Sequence, residues 1–130
     1  MNLVLLGVGL VLAVLAVRAA WHARPAMSVE QARAALAAGT AVLIDVREPP
    51  EWSSGVAQPA ALLPFSDLRG PRRTWTPFLQ KNRGQQLILY CASGMRSGSA
   101  AGLLRREGLE AVNLGGFHRW AGAGLPVRRP

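Results

Sequence analysis

The stretch from Gln86 to Arg106 constrains this chain more than any other. Gln86-Leu87-Ile88-Leu89-Tyr90 is a short, β-rich apolar run of the kind that makes a buried strand, while Ser99-Ala100-Ala101-Gly102-Leu103-Leu104-Arg105-Arg106 carries helical apolar spacing. Between them runs a glycine-containing loop that begins at the one cysteine of the chain, Cys91. A strand feeding a helix through a tight loop is the unit of a parallel α/β sheet, and ligands of such sheets bind at the C-terminal ends of the strands. Cys91 is therefore expected to face a helix N-terminus. Free N–H groups and the positive end of the helix dipole favour an anion there, so the thiol should ionise below its ordinary value of about 8.5. Arg96 adds a positive charge within the same loop.

The same alternation continues on both sides. Ser28-Val29-Glu30-Gln31 reads as a capping box opening a helix to about Ala38, which Gly39 ends. A strand from Ala41 to Val46 follows, then a short helix around Glu51 and a brief strand at Leu62 and Leu63. Helical turns fall near Ser66 to Leu68 and Trp75 to Lys81. After the helix that follows Cys91 come a strand from Ala111 to Leu114 and a final helix around Phe117 to Ala121. Short apolar strands alternating with helices predict a parallel sheet with helices on both faces.

The order of the motifs resembles that of rhodanese-domain sulfurtransferases over residues 28 to 127. Leu43-Ile44-Asp45-Val46-Arg47-Glu48-Pro49-Pro50-Glu51-Trp52 is similar to the strand and D-V-R-x-P-x-E-[FW] signature of that family. Tyr90-Cys91-Ala92-Ser93-Gly94-Met95-Arg96-Ser97-Gly98 resembles its active-site loop, Gly115-Gly116-Phe117-His118-Arg119-Trp120 its late G-G-x-x-x-W, and Ala123-Gly124-Leu125-Pro126-Val127 its closing segment. The resemblance implies a rhodanese-like α/β fold and a sulfurtransferase in which Cys91 is the catalytic nucleophile. It would attack the outer sulfur of thiosulfate or a persulfide, hold it as a Cys91 persulfide, and pass it to a thiol, a protein or another thiophilic acceptor. The amides from Ala92 to Ser97 would stabilise thiolate and persulfide alike, with Ala92, Ser93, Gly94, Met95, Arg96 and Ser97 forming the substrate-binding loop. Arg96 would orient a small anionic donor, Gly94 would permit a tight or left-handed turn, and Ser97 would cap the following helix. Asp45 and Arg47 resemble the strand-end pair that braces the family's active-site region.

Loop length separates two chemistries. Cys-x5-Arg phosphatases place five residues between the pair and encircle a phosphate with backbone amides; here four intervene, Ala92, Ser93, Gly94 and Met95. The tighter ring suits a single sulfur atom, and the family resemblance implies the same division. Two departures stand out. Where the family usually reads Gly-His-Ile-Pro-Gly-Ala, this chain has Gly55-Val56-Ala57-Gln58-Pro59-Ala60 and lacks the histidine. Ala92 also supplies no charge beside the cysteine, which favours a persulfide over thiosulfate as donor. A different class of reading follows from these departures, a rhodanese-like module for protein binding or passive sulfur carriage. A phosphatase or arsenate reductase is the third reading.

Residues 3 to 17 form an unbroken apolar run without charge, short of the roughly 20 residues needed to span a bilayer core. Arg18 can extend to the interface, and Ala19-Ala20-Trp21 continue the helix. Asn2 to Trp21 would then reach about 30 Å, with Trp21 at the aromatic belt. Residues 1–21 are thus expected to be an uncleaved single-pass anchor rather than a signal peptide, 22–27 a linker broken at Pro25, and 28–130 one domain. Arg18, Arg24 and Arg33 follow the segment, so the domain is expected in the cytoplasm, a reduced compartment that suits a solitary thiol. The net charge of +8 sits on scattered arginines not interleaved with aromatics, and no nucleic-acid partner is expected. His22 and His118 have no ligand-spaced companions, and the reading calls for neither metal nor cofactor.

Overall fold

The computed structural model describes residues 2–130; Met1, assigned above to the anchor, lies outside the described residues. In chain order the elements are α1 (Leu3–Ala23), α2 (Val29–Ala37), β1 (Ala41–Asp45), α3 (Pro49–Trp52), β2 (Val56–Ala57), β3 (Ala61–Leu62), α4 (Phe65–Leu68), α5 (Trp75–Lys81), β4 (Gln86–Cys91), α6 (Met95–Arg106), β5 (Ala111–Gly116), α7 (Phe117–Gly122) and β6 (Val127–Arg128). The four main strands run parallel in the order β3-β1-β4-β5, with β4 interior.

The apolar run of β4 is explained by burial on both sides. Successive strand side chains point to opposite faces. Leu87, Leu89 and Cys91 enter one core with Ile44, Leu68, Trp75, Ala100 and Leu104, so α4, α5 and α6 cover that face. Ile88 and Tyr90 enter the other with Ala32, Leu43, Leu114 and Trp120, beneath α2 and α7. A parallel sheet covered on both faces agrees with the sequence reading. So does the capping box of α2, in which Ser28 Oγ accepts from Gln31 N–H at 3.1 Å and Gln31 Oε1 from Ser28 N–H at 2.9 Å.

Four details differ from expectation. β2 and β6 form a separate antiparallel pair, each too short to show a period in sequence. β5 runs on to Gly116, two residues beyond its expected end, and Leu114 is an extra residue between the partners of Leu89 and Tyr90. Helix α1 continues past Trp21 through Ala23. It stops because Arg24 precedes Pro25, a position that disfavours the α conformation, and Arg24 is accordingly extended with ψ 133°. Finally, α6 begins one turn earlier than the apolar spacing indicated, at Met95. No side chain of α1 is buried, and the helix meets the domain at α6.

Candidate active site

Because β4 alternates, its last residue, Cys91, turns toward α6 and is fully buried. The chain must then reverse within three residues to start that helix. Gly94 makes this possible with a left-handed φ of 94°, a conformation an L side chain resists, as expected from its place in the loop. The turn aims donors back at the sulfur: Gly94 N–H lies 3.1 Å from Cys91 Sγ, Ser97 N–H 3.4 Å and Ser97 Oγ 3.3 Å. Burial pushes the thiol up, but the Ser97 hydroxyl and the amides of Ser97, Ser93 and Gly94 together outweigh it. The net effect lowers the Cys91 thiol below its ordinary value.

Ser97 does not cap the helix, which corrects the sequence reading. The N-cap position is held by Gly94, and Ser97 sits inside the first turn of α6. From there its hydroxyl is directed inward, between the sulfur and Asn113 Oδ1, which lies 2.7 Å away. The cradle is also narrower than six amides. The amides that act on the sulfur are those of Ser93, Gly94 and Ser97, while Ala92 and Met95 are exposed and Met95 N–H is directed to Ser93 Oγ at 3.5 Å.

Arg96 is near Cys91 and its charge is already paired. Its two terminal nitrogens meet Glu51 Oε1 and Oε2 at 2.6 and 2.9 Å, with both side chains about one-third exposed. The Arg96 hydrogen bond is the main reason the Glu51 carboxyl falls to about 2. Glu51 in turn raises Arg96, with a smaller contribution from Cys91. Glu51 stands in the D-V-R-x-P-x-E-[FW] resemblance and in the expected short helix, but no local spacing joins it to Arg96, 45 positions away.

Asp45 lies on the face of the sheet opposite Cys91. It accepts from Arg47 N–H at 2.9 Å, from Nε at 3.1 Å and from Nη2 at 2.7 Å. Arg47 also donates to Gly55 O at 2.7 Å and lies over the Phe117 ring, 4.7 Å from its centre. Burial lowers the Arg47 guanidinium, but the bonds and charge of Asp45 more than restore it. Arg47 thereby fixes the entry to β2. Val56, in place of the family's histidine, is buried there, and Tyr90 Oη accepts from the neighbouring Ala57 N–H at 2.9 Å.

Asn113 is the site residue that the sequence reading missed. It is a buried polar side chain in the middle of β5, and the signal was there to read: an amide within the run Ala111-Val112-Asn113-Leu114 must find partners if that run is a buried strand.

A family model described as the rhodanese-like domain matches residues 28–123. Protein YqhL of Bacillus subtilis is 39% identical over 84 residues, 63% of this chain and 62% of the relative, so this chain spans less than two thirds of that protein's length. A protein of Allochromatium vinosum named sulfurtransferase is 35% identical over 91 residues, covering 68% of this chain and 79% of the relative. The solved structure of the human single-domain sulfurtransferase TSTD1 matches with a TM-score of 0.63 at 28% identity, covering 76% of this chain and 96% of the human one.

Proposed function

Since this chain belongs to the rhodanese-like domain family, we propose that it is a sulfurtransferase that carries sulfane sulfur on Cys91. The observation that carries the reading is the sulfur itself, held at the end of β4 by three donors at 3.1 to 3.4 Å in an enclosed cradle. With four residues between Cys91 and Arg96, the loop is one shorter than in Cys-x5-Arg phosphatases, which favours a single sulfur atom over a tetrahedral oxyanion.

The Cys91 thiolate attacks the outer sulfur of the donor. The bond between that sulfur and the rest of the donor breaks, and its electron pair leaves with sulfite or with a thiolate. Cys91 then bears a persulfide. An acceptor thiolate attacks the outer sulfur, and the Cys91 thiolate returns with the electron pair of the broken S–S bond, so no external oxidant is needed. The same donors that lower the thiol stabilise each returning thiolate. Arg96 serves an anionic donor by exchanging Glu51 for it. The exchange and the uncharged Ala92 both favour a persulfide over thiosulfate.

Helix α1 serves as a single membrane span. Its 21 residues reach about 30 Å, its side chains are unburied, and Trp21 and Arg24 stand at the end nearest the domain. Arg18 and Arg24, on the domain side of the segment, favour a cytoplasmic domain. Resistance of the full chain to carbonate extraction, and its accessibility to protease only from the cytoplasmic side, test this part.

The chemistry is tested on the full chain in detergent micelles. It is incubated with thiosulfate or, separately, with glutathione persulfide, and its intact mass is read before and after adding cyanide. We expect one sulfur gained on Cys91, lost to cyanide, and neither gain nor turnover in Cys91→Ser. Turnover that survives in Cys91→Ser would sink the reading. A Cys91 that alkylates readily yet never gains sulfur would transfer it to a binding module.

A further inference from the structure

The end of the apolar helix is built into the back of the cysteine loop. Asn113 joins the two. Its Oδ1 accepts from Gly115 N–H at 3.0 Å, an obligatory donor, which fixes the orientation of the amide. Its Nδ2 is then directed to three carbonyls, Gly94 O at 3.0 Å, His22 O at 3.1 Å and Arg24 O at 3.2 Å. Two of the three belong to the end of α1 and the residues leaving it. The approach is close enough to exclude side chains: a Cβ added at Gly98 falls 1.6 Å from the His22 carbonyl oxygen, and one added at Gly94 falls 2.5 Å from that of Ala23.

On its other side Asn113 meets Ser97, whose hydroxyl has a single proton and two acceptors. Asn113 Oδ1 lies at 2.7 Å and Cys91 Sγ at 3.3 Å. One proton cannot serve both. While Cys91 is a thiol, its S–H can donate to Ser97 Oγ and Ser97 to Asn113, an unbroken chain. Once Cys91 is a thiolate, Ser97 must turn its proton to the sulfur and leave Asn113.

We propose that Asn113 is a positioning residue that competes with Cys91 for the Ser97 proton, so that the seating of α1 on Asn113 restrains the reactivity of the cysteine. This deepens the sulfurtransferase reading and rests on it for the identity of Cys91 as the reacting group. When α1 is seated, the pinned amide competes for the Ser97 proton, which the sulfur then holds only in part. When α1 shifts, the amide loses two of its three carbonyls, and the proton becomes available to the sulfur. Linkage makes the effect reciprocal. A persulfidated Cys91, with its charge on the outer sulfur, no longer needs the Ser97 proton and favours the seated helix.

The charged and titratable groups around the sulfur are few. Arg96 and its partner Glu51 stand on the α6 and α3 side, with Glu48 beyond. The His118 ring packs over Gly116, the β5 partner of Cys91. Asp45 and Arg47 lie across the sheet. From α1 it is the backbone of His22, not its ring, that enters the network. The variants chosen leave all of these in place.

The test is the pH profile of Cys91 alkylation in the full chain in detergent, which needs no sulfur transfer and so can succeed or fail independently of the assigned activity. Asn113→Ala is expected to lower the alkylation midpoint by about half to one pH unit, the worth of one hydrogen bond. Ser97→Ala should raise it by a similar amount. Gly98→Ala, whose Cβ displaces the His22 carbonyl and presses on Asn113 Nδ2 without removing the amide, should lower it by less. Opposite directions for Asn113→Ala and Ser97→Ala establish the competition; an unchanged or raised midpoint in Asn113→Ala overturns it. Should Asn113→Ala fail to fold, Gly98→Ala decides alone. A lowered midpoint supports the proposal and an unchanged one refutes it.

Discussion

The C-terminal ends of β1 and β4 are built from the same parts and put to opposite use. Each carries an anion or a group that becomes one, Asp45 on one strand and Cys91 on the other, and each has an arginine close by. At β1 the pair is sealed: the Asp45 side chain is fully buried and that of Arg47 nearly so, and all of their bonds run to each other or to backbone. Beyond β4 the arginine is one-third exposed and engaged with Glu51, itself one-third exposed. A buried pair holds shape because neither member can leave without stranding the other. A half-exposed pair holds shape weakly and can exchange. The comparison teaches that the sheet separates the sealed ion pair from the cysteine by face, since alternation sends Asp45 and Cys91 to opposite sides.

The largest effect expected from breaking the comparison is at the sealed end. Arg47→Met strands the buried Asp45 carboxylate and should cost about 3–5 kcal/mol, a large part of a domain's stability. Urea unfolding measures it, and a loss below about 1 kcal/mol would place that pair with the exchangeable ones. The open end should answer in binding instead. Glu51→Gln releases Arg96 and should lower KM for thiosulfate by about fivefold with kcat little changed, the equivalent of ~1 kcal/mol. A rise in KM would show that Glu51 orients Arg96 for the donor.

The pair also has a pH signature. Glu51 is lowered in the fold from its ordinary 4.5 to about 2, so its stabilisation is complete above pH 4.5 and is lost as pH falls toward 2. The urea-midpoint gap between the parent chain and Glu51→Gln should therefore be flat from pH 7 to 5 and shrink below that. A gap that widens on acidification would contradict the sign. The smallest effect belongs to a surface pair remote from both strand ends. Arg72 and Glu107 meet at 2.6 and 2.8 Å with about a third of each side chain exposed, and Glu107→Gln should cost under ~1 kcal/mol.

The parts legible in the sequence are those governed by local periodicity. The strand β4 was readable because burial on both faces demands an uninterrupted apolar run, and α2 because its capping box uses residues three apart. Gly94 was readable because a reversal between strand and helix needs a residue free to adopt positive φ. Long-range pairing was not. Neither the engagement of Arg96 by Glu51 nor the pairing of Val56 with Arg128 leaves a trace in spacing. The role of Ser97 was misread for a related reason. Apolar spacing locates the buried face of a helix, and α6 opens with a turn that faces the sulfur and the Asn113 side chain rather than a hydrophobic core. That turn is invisible to a hydrophobic count.

The contact between the last turn of α1 and Gly94 leaves the domain only a short tether, with room for no more than a local shift of the helix end. If α1 spans a bilayer, as proposed, Cys91 would not sweep a volume of solution as a head on a flexible linker would; it would stay close to the lipid surface. Encounters with acceptors held on the same surface become a search in two dimensions at high effective concentration, while a soluble acceptor gains nothing from the attachment. Such a short tether would select its clientele by where they reside before any side chain reads what they are.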